Sequence, residues 1–219
     1  MVLRFEEARH RLAGARLYVI SADDEPGRQA AALCAAVDGG ADLVQLRNKA
    51  ARPIDLLAAA RQVAAHAHAH GALLIVNDSP ELVAGSGADG VHVGQADGAI
   101  DEVRSRLPPG ALVGRSTHSL AQAEAAVAEG ADYIGVGPVH ETPTKPGRPA
   151  VGVELVRVIA ARIQLPWFAI GGLNDANLDD VLAVGARRVA VVRAVAAAPD
   201  PRVAAAALLA RMPPLGVRV

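Results

Sequence analysis

The sequence is poor in cysteine, in aromatic residues and in any excess of charge of one sign. Its single cysteine, Cys34, excludes an intrachain disulfide and a two-cysteine metal site, and its place in an Ala- and Leu-rich run is typical of a small buried side chain. Aromatic residues make up 2% of the 219 residues, which argues against a surface that stacks nucleic-acid bases. The net charge of -1 provides no overall field to attract nucleic acid or an anionic membrane. We therefore expect no nucleic-acid partner, and an anionic ligand would have to be bound by local groups.

Long hydrophobic runs are also missing. The N-terminal region carries charged residues before the short apolar run 17–20, so it predicts neither a signal-peptide core nor a membrane span; these charges are Arg4, Glu6, Glu7, Arg9 and Arg11. We expect a cytoplasmic protein without a membrane partner, and self-association into a homo-oligomer is left open. Hydrophobic residues nevertheless reach 52%, against 21% charged, which is typical of a globular chain with a packed core.

Eight short apolar runs alternate with helical stretches along nearly the whole chain. Continuous apolar strands with intervening helices predict a parallel sheet covered by helices, and eight such units favour a closed (β/α)₈ TIM barrel. We predict one α/β domain over 1–219, with an N-terminal helical extension at 1–15, the barrel at 16–211 and a C-terminal tail at 212–219. The runs are 17–20, 43–46, 73–76, 91–93, 112–114, 133–136, 168–170 and 189–192.

A Gly-Ala-Asp motif precedes every second run. It begins at Gly40, Gly87 and Gly130, and Gly-Ala-Arg begins at Gly185. We interpret it as a helix that ends at a left-handed glycine, followed by a tight turn into the next strand. These turns are assigned to stability, because active sites on this fold lie at the opposite, carboxyl ends of the strands.

Cationic and amide side chains follow the second run. Gln45, Arg47 and Lys49 alternate, so an extended strand would place them on one face, toward the barrel mouth. Two cations and an amide suit a polyanion such as a diphosphate, with forked hydrogen bonds from Arg and a point charge from Lys. The alternative is a solvated strand end.

Two carboxylates, Asp78 and Asp97, follow the third and fourth runs. Because these strands are neighbours in a barrel, the two side chains could share one Mg²⁺, which takes one or two carboxylates and completes its shell with water and phosphate oxygens. A helix N-cap for Asp78 and a turn for Asp97 are the alternatives.

The longest polar loop, 137–148, follows the sixth run, and its Pro, Gly and Thr content predicts a lid over the mouth, with a solvent loop as the alternative.

Gly171 and Gly172 after the seventh run, and Arg193 after the eighth, stand where barrels of this kind often bind a phosphate group. A simple tight turn is the alternative for the glycine pair.

Histidines occur in two settings. His66, His68 and His70 alternate in an Ala-rich helix where only His66 and His70 share a face, and we do not predict a metal site there. His118 follows the fifth run at the mouth, where a catalytic or substrate-orienting role and a packing role are both open.

Taken together, these segments resemble the thiamine-phosphate synthase family over roughly residues 16–210. The segments that carry the resemblance are 45–49, 76–78, 90–97, 137–138 with 142–145, and 169–172. The resemblance implies a transferase that joins 4-amino-5-hydroxymethyl-2-methylpyrimidine diphosphate to 4-methyl-5-(2-phosphoethyl)thiazole, with Mg²⁺ as cofactor and pyrophosphate as the second product.

The resemblance also implies the role of each residue. Asp78 and Asp97 would ligate Mg²⁺, and Ser116 would contact the pyrimidine. Arg47, Lys49, Lys145 and Ser116 are the expected catalytic residues. The diphosphate would be held by Gln45, Arg47, Lys49, Asn77 and Lys145, and the thiazole phosphate by Thr142, Thr144, Gly172, Val192 and Arg193. Some family members have Ser where this chain has Arg193.

Two other functions compete with this interpretation. A thiazole tautomerase on the same barrel would use a His near His118 to move a proton, but it would need neither the cationic cluster nor the two metal carboxylates. A non-catalytic sensor of a phosphorylated metabolite would not need the metal ligands either.

Overall fold

The computed structural model describes residues 2–142 and 149–215, and its centre is a closed barrel of eight parallel strands in sequence order. Strand β1 pairs with both β2 and β8, with Tyr18 opposite Leu43 and opposite Ala190, which closes the sheet. The strands are β1 Leu17–Ile20, β2 Leu43–Leu46, β3 Leu73–Asn77, β4 Gly90–Val93, β5 Leu112–Thr117, β6 Tyr133–Val136, β7 Trp167–Ile170 and β8 Val189–Val191. The predicted (β/α)₈ barrel is confirmed.

Helices connect the strands and surround the barrel. The helices are α1 Val2–Gly14, α2 Pro26–Asp38, α3 Pro53–Ala69, α4 Pro80–Ser86, α5 Ile100–Ser105, α6 Leu120–Ala128, α7 Gly152–Arg162, α8 Leu178–Ala183, α9 Arg193–Ala196 and α10 Pro201–Arg211. Helix α1 is the predicted N-terminal helical extension. Within the described ranges, every helix is too short or too polar to cross a lipid bilayer. The division of 1–219 into a single domain, with the boundaries given above, stays a prediction.

Alternate strand residues separate two apolar regions. One region lies between the strands and the helices, and the other fills the barrel interior. Tyr18, Tyr133 and Phe168 meet in this interior, with ring centroids 5.3–5.9 Å apart in edge-to-face pairs. Three of the five aromatic residues of the chain thus lie inside the barrel, whereas Phe5 and Trp167 belong to the region between the strands and the helices.

Helix α1 covers the amino-terminal end of this interior. Its residues Ala8 and Leu12 belong to the same buried cluster as the inward-facing strand residues. Arg188, just before β8, donates a 2.7 Å hydrogen bond to the carbonyl oxygen of Ala13, and Arg9 of α1 pairs with Asp132 at 3.1 Å. With that end covered, the carboxyl end of the barrel provides the mouth.

The Gly-Ala-Asp turns have the predicted left-handed glycines. Their φ values at Gly40, Gly87, Gly130 and Gly185 are 93°, 81°, 83° and 105°. The aspartates add a function that the sequence did not reveal: each one accepts the backbone N–H at the start of the preceding strand. The pairs are Asp42 with Leu17 at 2.9 Å, Asp89 with Leu74 at 2.9 Å and Asp132 with Val113 at 2.8 Å. These turns therefore tie neighbouring strands together.

Strand β5 and the segment after β2 differ from the sequence-based expectation. Strand β5 continues to Thr117, three residues beyond the apolar run, so that Ser116 lies within the strand. Strand β2 stops at Leu46, because the side-chain oxygen of Asn48 accepts the N–H groups of Ala50 and Ala51 and turns the chain. The strand period therefore does not extend to Lys49.

Candidate active site

A cavity of about 340 Å³ opens at the carboxyl ends of the strands. Its size suits a small organic ligand. All eight strands or the loops after them contribute to its lining, which includes Gln45, Arg47, Asn77, Ser116, His118, Thr142, Gly172, Val192 and Arg193 from the predicted site. Nine of the predicted site residues therefore meet at one cavity.

Arg47 is held in place through its backbone. Its N–H donates to the hydroxyl of Ser21 at 2.9 Å, and its carbonyl accepts from Ser21 at 3.0 Å and from the side-chain amide of Gln29 at 3.0 Å. The guanidinium is only 14% exposed and forms a 3.3 Å ion pair with Asp23, which is 79% exposed. An anion in the cavity could therefore replace Asp23 as the partner of the guanidinium, because the exposed Asp23 carboxylate would then be hydrated by solvent.

Lys49 lies farther out, at 67% exposure, and its Nζ is 3.2 Å from Oδ2 of Asp78. This pair joins the segment after β2 to the segment after β3. Asp78 adopts φ 57°, the only left-handed non-glycine residue in the described chain, and its N–H donates to the carbonyl of His92 at 3.0 Å. A non-glycine residue in this conformation is strained, and such strain is concentrated at functional sites.

Asp97 follows β4 and is exposed. Its Oδ2 accepts the N–H of Gly94 at 2.6 Å, so the turn role left open by the sequence is part of its geometry. The N-cap alternative for Asp78 is not supported, because the residue that caps α4 is Ser79. Asn77 ends β3 and faces the cavity beside Asp78.

The donor set can be tested against the predicted cation. Asp78 and Asp97 follow adjacent strands, both carboxylates are at least partly open to solvent, and neither is buried against apolar side chains. Mg²⁺ needs one or two such oxygens and keeps several waters. The two residues fit this requirement.

A chain of hydrogen bonds crosses the floor of the cavity. Nε2 of His92 lies 2.9 Å from the hydroxyl of Ser116, and Nδ1 of His92 lies 3.2 Å from the hydroxyl of Tyr133. That hydroxyl is 3.1 Å from the hydroxyl of Tyr18, which accepts a short hydrogen bond from the amide of Gln45. Gln45 and Ser116, on opposite sides of the barrel, are thus connected through three side chains that the sequence analysis did not select.

Both tyrosines of this chain are fully enclosed. Burial raises the pKa of Tyr18 above its ordinary value, although hydrogen bonds from Tyr133 and Gln45 act in the opposite direction. Burial also raises the pKa of Tyr133, with a further contribution from its neighbour Tyr18. Both phenols therefore remain neutral hydrogen-bonding groups at physiological pH.

His118 lines the cavity and contacts the base of the loop after β6. Its Nδ1 forms a short hydrogen bond with the carbonyl oxygen of Gly137, and its backbone N–H donates to Oε1 of Gln122 at 2.8 Å. Because a carbonyl only accepts, Nδ1 is the protonated nitrogen, and a neutral ring then keeps its lone pair on Nε2. The geometry is compatible with both roles left open for His118.

The loop after β6 is joined to the loop after β7. Val139 and His140 donate from their N–H groups to the carbonyls of Ile170 and Gly171, at 2.8 and 3.0 Å. Gly172 has φ 66°, and a side chain there would come within 2.7 Å of Cβ of His140. The glycine pair is therefore required for this close contact as well as for any ligand. Thr142 lies at the cavity, whereas Thr144 and Lys145 belong to 143–148, the half of the predicted lid that lies outside the described residues.

Val192 and Arg193 complete the wall beside Gly172. Val192 is the residue before the short helix α9, and Arg193 is exposed. Both line the cavity with Gly171 and Gly172. The structure therefore brings the ends of β7 and β8 together as expected from the sequence.

Comparison with known proteins agrees with these observations. A family model described as thiamine monophosphate synthase matches residues 17–195. Thiamine-phosphate synthases from Thermobifida fusca (strain YX) and Mycobacterium sp. (strain KMS) are 49% and 48% identical; the matches cover 94% and 89% of this chain and 96% and 91% of the relatives. The solved structure of a thiamine phosphate pyrophosphorylase from Pyrococcus furiosus superposes with a TM-score of 0.81 at 31% identity, covering 93% of this chain and 96% of the other. The predicted resemblance and the transferase class are confirmed, and the chain belongs to the thiamine monophosphate synthase family.

Proposed function

We propose that this chain joins 4-amino-5-hydroxymethyl-2-methylpyrimidine diphosphate to 4-methyl-5-(2-phosphoethyl)thiazole, giving thiamine phosphate and pyrophosphate, with Mg²⁺ as cofactor. The observation that carries the proposal is the joining of the β2 and β3 ends by Lys49 and Asp78 beside a cavity that Arg47 lines. The cation of Lys49 and the carboxylate of Asp78 in one place suit the binding of a metal-bound diphosphate, whereas the proton transfer of a tautomerase would not require this pair. We further propose that the enzyme is cytoplasmic and folds as one domain, and that it can form a homo-oligomer.

The departing diphosphate would be bound by groups from two strand ends and from the loop after β6. The guanidinium of Arg47 offers a rigid fork of N–H donors and Lys49 offers a mobile point charge. Gln45 and Asn77 add amide groups at the cavity, and Lys145 is assigned to the same diphosphate by the family resemblance alone. Together these groups stabilise the negative charge that develops as the C–O bond breaks.

Mg²⁺, held by Asp78 and Asp97, would neutralise the diphosphate oxygens. The chain's own contribution is to place both carboxylates at adjacent strand ends. Lys49, with its Nζ 3.2 Å from Oδ2 of Asp78, would orient this carboxylate before the metal binds. The backbone of Asp78 is left-handed and is held by the hydrogen bond from its N–H to the carbonyl of His92, while its carboxylate contacts Lys49.

The pyrimidine would lie over the floor formed by Ser116 and Gln45. An aminopyrimidine can stabilise a methylene cation once the diphosphate departs, so no protein nucleophile is needed. Ser116, oriented by His92, would hydrogen-bond the ring, and the enclosed aromatic side chains beneath would limit the access of water to the cation. The thiazole nitrogen then attacks the methylene carbon.

The thiazole phosphate would bind where the loops after β6, β7 and β8 meet. Backbone N–H groups at Gly172, Val192 and Arg193 can approach a phosphate closely, and Thr142 lies at the same cavity. Thr144 is assigned to this phosphate by the family resemblance. Arg193 is exposed enough to reach a dianion with its side chain, so both backbone and side chain contribute in this proposal.

The experiment that tests the proposal is a coupled assay of pyrophosphate release. The purified chain should release pyrophosphate only when the pyrimidine diphosphate, the thiazole phosphate and Mg²⁺ are all present. A tautomerase would instead convert a thiazole isomer without releasing pyrophosphate and would depend on His118. A non-catalytic sensor would bind the pyrimidine diphosphate but give no product.

A further inference from the structure

We propose that Asp38, His66 and His70 form a surface binding site for a divalent transition metal such as Zn²⁺, between helices α2 and α3 and separate from the barrel mouth. One ligand atom from each of the three residues lies within 4.8 Å of the other two. His66 Nε2 is 2.7 Å and His70 Nε2 is 3.7 Å from the same oxygen, Oδ1 of Asp38. Among the described residues, this is the one group of three or more His, Cys, Asp or Glu side chains whose ligand atoms lie so close together.

The spacing of the ligand atoms suits a tetrahedral ion. Ligands at the usual zinc distances stand about 3.4 Å from one another in a tetrahedron. The two separations in the structure, 2.7 and 3.7 Å, lie on either side of this value, so small rotations of these exposed or partly exposed side chains would reach it. The remaining coordination position would be taken by water.

The tautomer of His70 is already fixed in the form that a metal requires. Its Nδ1 lies 2.9 Å from the carbonyl oxygen of His66, and since that oxygen only accepts, Nδ1 carries the proton. A neutral ring then directs its lone pair on Nε2 toward Asp38. In metal-bound histidines the nitrogen that does not ligate the metal usually donates to a backbone carbonyl or a carboxylate, which fixes the tautomer and the orientation of the ring. The two imidazole rings are stacked, with centroids 4.4 Å apart, which holds them side by side.

Helix ends make the same place favourable for a cation. Asp38 is the last residue of α2, and His70 directly follows the last residue of α3. The carboxyl end of a helix carries partial negative charge, and two such ends meet here. An aspartate at this end is unfavourable without a cation, and its ion-pair partners among the described residues are the two histidines.

Ligand chemistry separates this site from the one at the mouth. Imidazole nitrogens favour Zn²⁺, Ni²⁺, Cu²⁺ or Co²⁺, whereas Mg²⁺ favours oxygen ligands. His68, on the same helix, is not part of the site, because its Nε2 contacts the buried carboxylate of Asp89 at 2.9 Å. Cys34 lies one turn before Asp38 on α2 but is outside the group of three.

The test is a calorimetric titration of the full-length chain with Zn²⁺ in a buffer that contains millimolar Mg²⁺, which occupies the oxygen sites. We expect one Zn²⁺ per chain with a Kd of about 1–10 μM. Replacing either ligand, in His66→Ala or His70→Ala, should weaken binding more than about 100-fold, beyond the 10- to 100-fold loss typical of an outer-shell partner. Asp38→Asn should weaken it by at least about 10-fold.

Two variants serve as matched controls. His10→Ala removes an exposed histidine of α1, and Cys34→Ser removes the thiol on α2; both should bind Zn²⁺ like the unmodified chain. Zn²⁺ should also raise the unfolding temperature of the chain and of both controls but not that of the two histidine variants. Co²⁺ should give the visible absorption of a tetrahedral complex only when both histidines are present. No binding below about 1 mM, or equal binding by His66→Ala and His70→Ala, would overturn the proposal.

Discussion

The hydroxyl of Ser116 lies 2.9 Å from Nε2 of His92, one strand away across the barrel floor. Ser116 faces the cavity, whereas His92 is held from behind by the hydroxyl of Tyr133. The serine that we assign to the pyrimidine therefore has its orientation set by a histidine whose other nitrogen reaches into the barrel interior.

We expect His92→Ala to lower kcat by about 10- to 100-fold with little change in the KM of the thiazole phosphate, because Ser116 would lose its orientation while the phosphate subsite stays intact. Ser116→Ala should have a similar effect. Since the two residues act as a unit, the double variant should lose little more than either single variant in steady-state kinetics. Additive losses would mean that His92 does not act through Ser116.

The two buried tyrosines predict a loss of stability at alkaline pH. Their folded-state pKa values are raised, so above the ordinary tyrosine pKa of about 10 the unfolded chain releases protons that the folded chain retains. Each tyrosine should therefore lower the free energy of unfolding by up to about 1.4 kcal/mol per pH unit above pH 10, and contribute no slope well below it.

Absorbance spectroscopy can check this directly, because Tyr18 and Tyr133 are the only tyrosines in the chain. Phenolate absorbance should stay absent in the native protein above pH 10 and appear together with unfolding. Phenolate that forms while the circular dichroism is still native would contradict the enclosed hydrogen-bonded pair.

Gly114 leaves space for the ring of Tyr133. A Cβ atom at this position would come within 2.1 Å of Cζ of that ring, which is completely buried. We expect Gly114→Ala to destabilise the fold by about 1–3 kcal/mol in urea unfolding. Gly27→Ala, in α2, is the matched control because a Cβ there meets nothing within 4 Å, and it should be neutral or slightly stabilising. Equal stability of the two variants would contradict the packing described for the interior.

Asp42 supports the start of β1. Its Oδ2 accepts the N–H groups of Arg16 and Leu17 at 2.8 and 2.9 Å. We expect Asp42→Ala to lower the free energy of unfolding by about 1–3 kcal/mol while the KM values change little, because the residue lies at the end of the barrel opposite the mouth. The exposed Asp180→Ala provides a control that should change stability by less than about 0.5 kcal/mol. A large change in KM for Asp42→Ala would show that this end of the barrel is coupled to the site.

The sequence predicted the barrel well because apolar runs and left-handed glycines are local signals. It also placed Asp78 and Asp97 on neighbouring strands, since the order of the strands follows from the fold class. The course of the chain after β2 was not predictable in the same way: it turns because Oδ1 of Asn48 accepts the N–H groups of both Ala50 and Ala51, so Lys49 lies farther out than a strand would place it.

His92 and the two tyrosines were missed for a different reason. They lie within strands, whereas the predicted site residues were taken from the strand ends. The position of His92 between two valines in β4 nevertheless indicated an inward-facing polar side chain. The contact between Asp38 and His66 could not be inferred from the sequence. The two residues are 28 positions apart, and their contact depends on how helices α2 and α3 are rotated relative to each other.

The most direct test of the proposed chemistry is pyrophosphate release measured as a function of Mg²⁺ concentration for the unmodified chain, Asp78→Asn and Asp97→Asn. Asparagine keeps the size of each side chain but removes the charge that attracts the metal. Because both carboxylates lie at the mouth, the variants should remain folded. Their turnover should fall by about 100- to 1000-fold, the scale of losing a main electrostatic stabiliser, and should recover in part at high Mg²⁺. EDTA should stop turnover by the unmodified chain. Metal-independent activity in the unmodified chain, or turnover by either variant equal to that of the unmodified chain at low Mg²⁺, would contradict the assignment of these carboxylates to Mg²⁺.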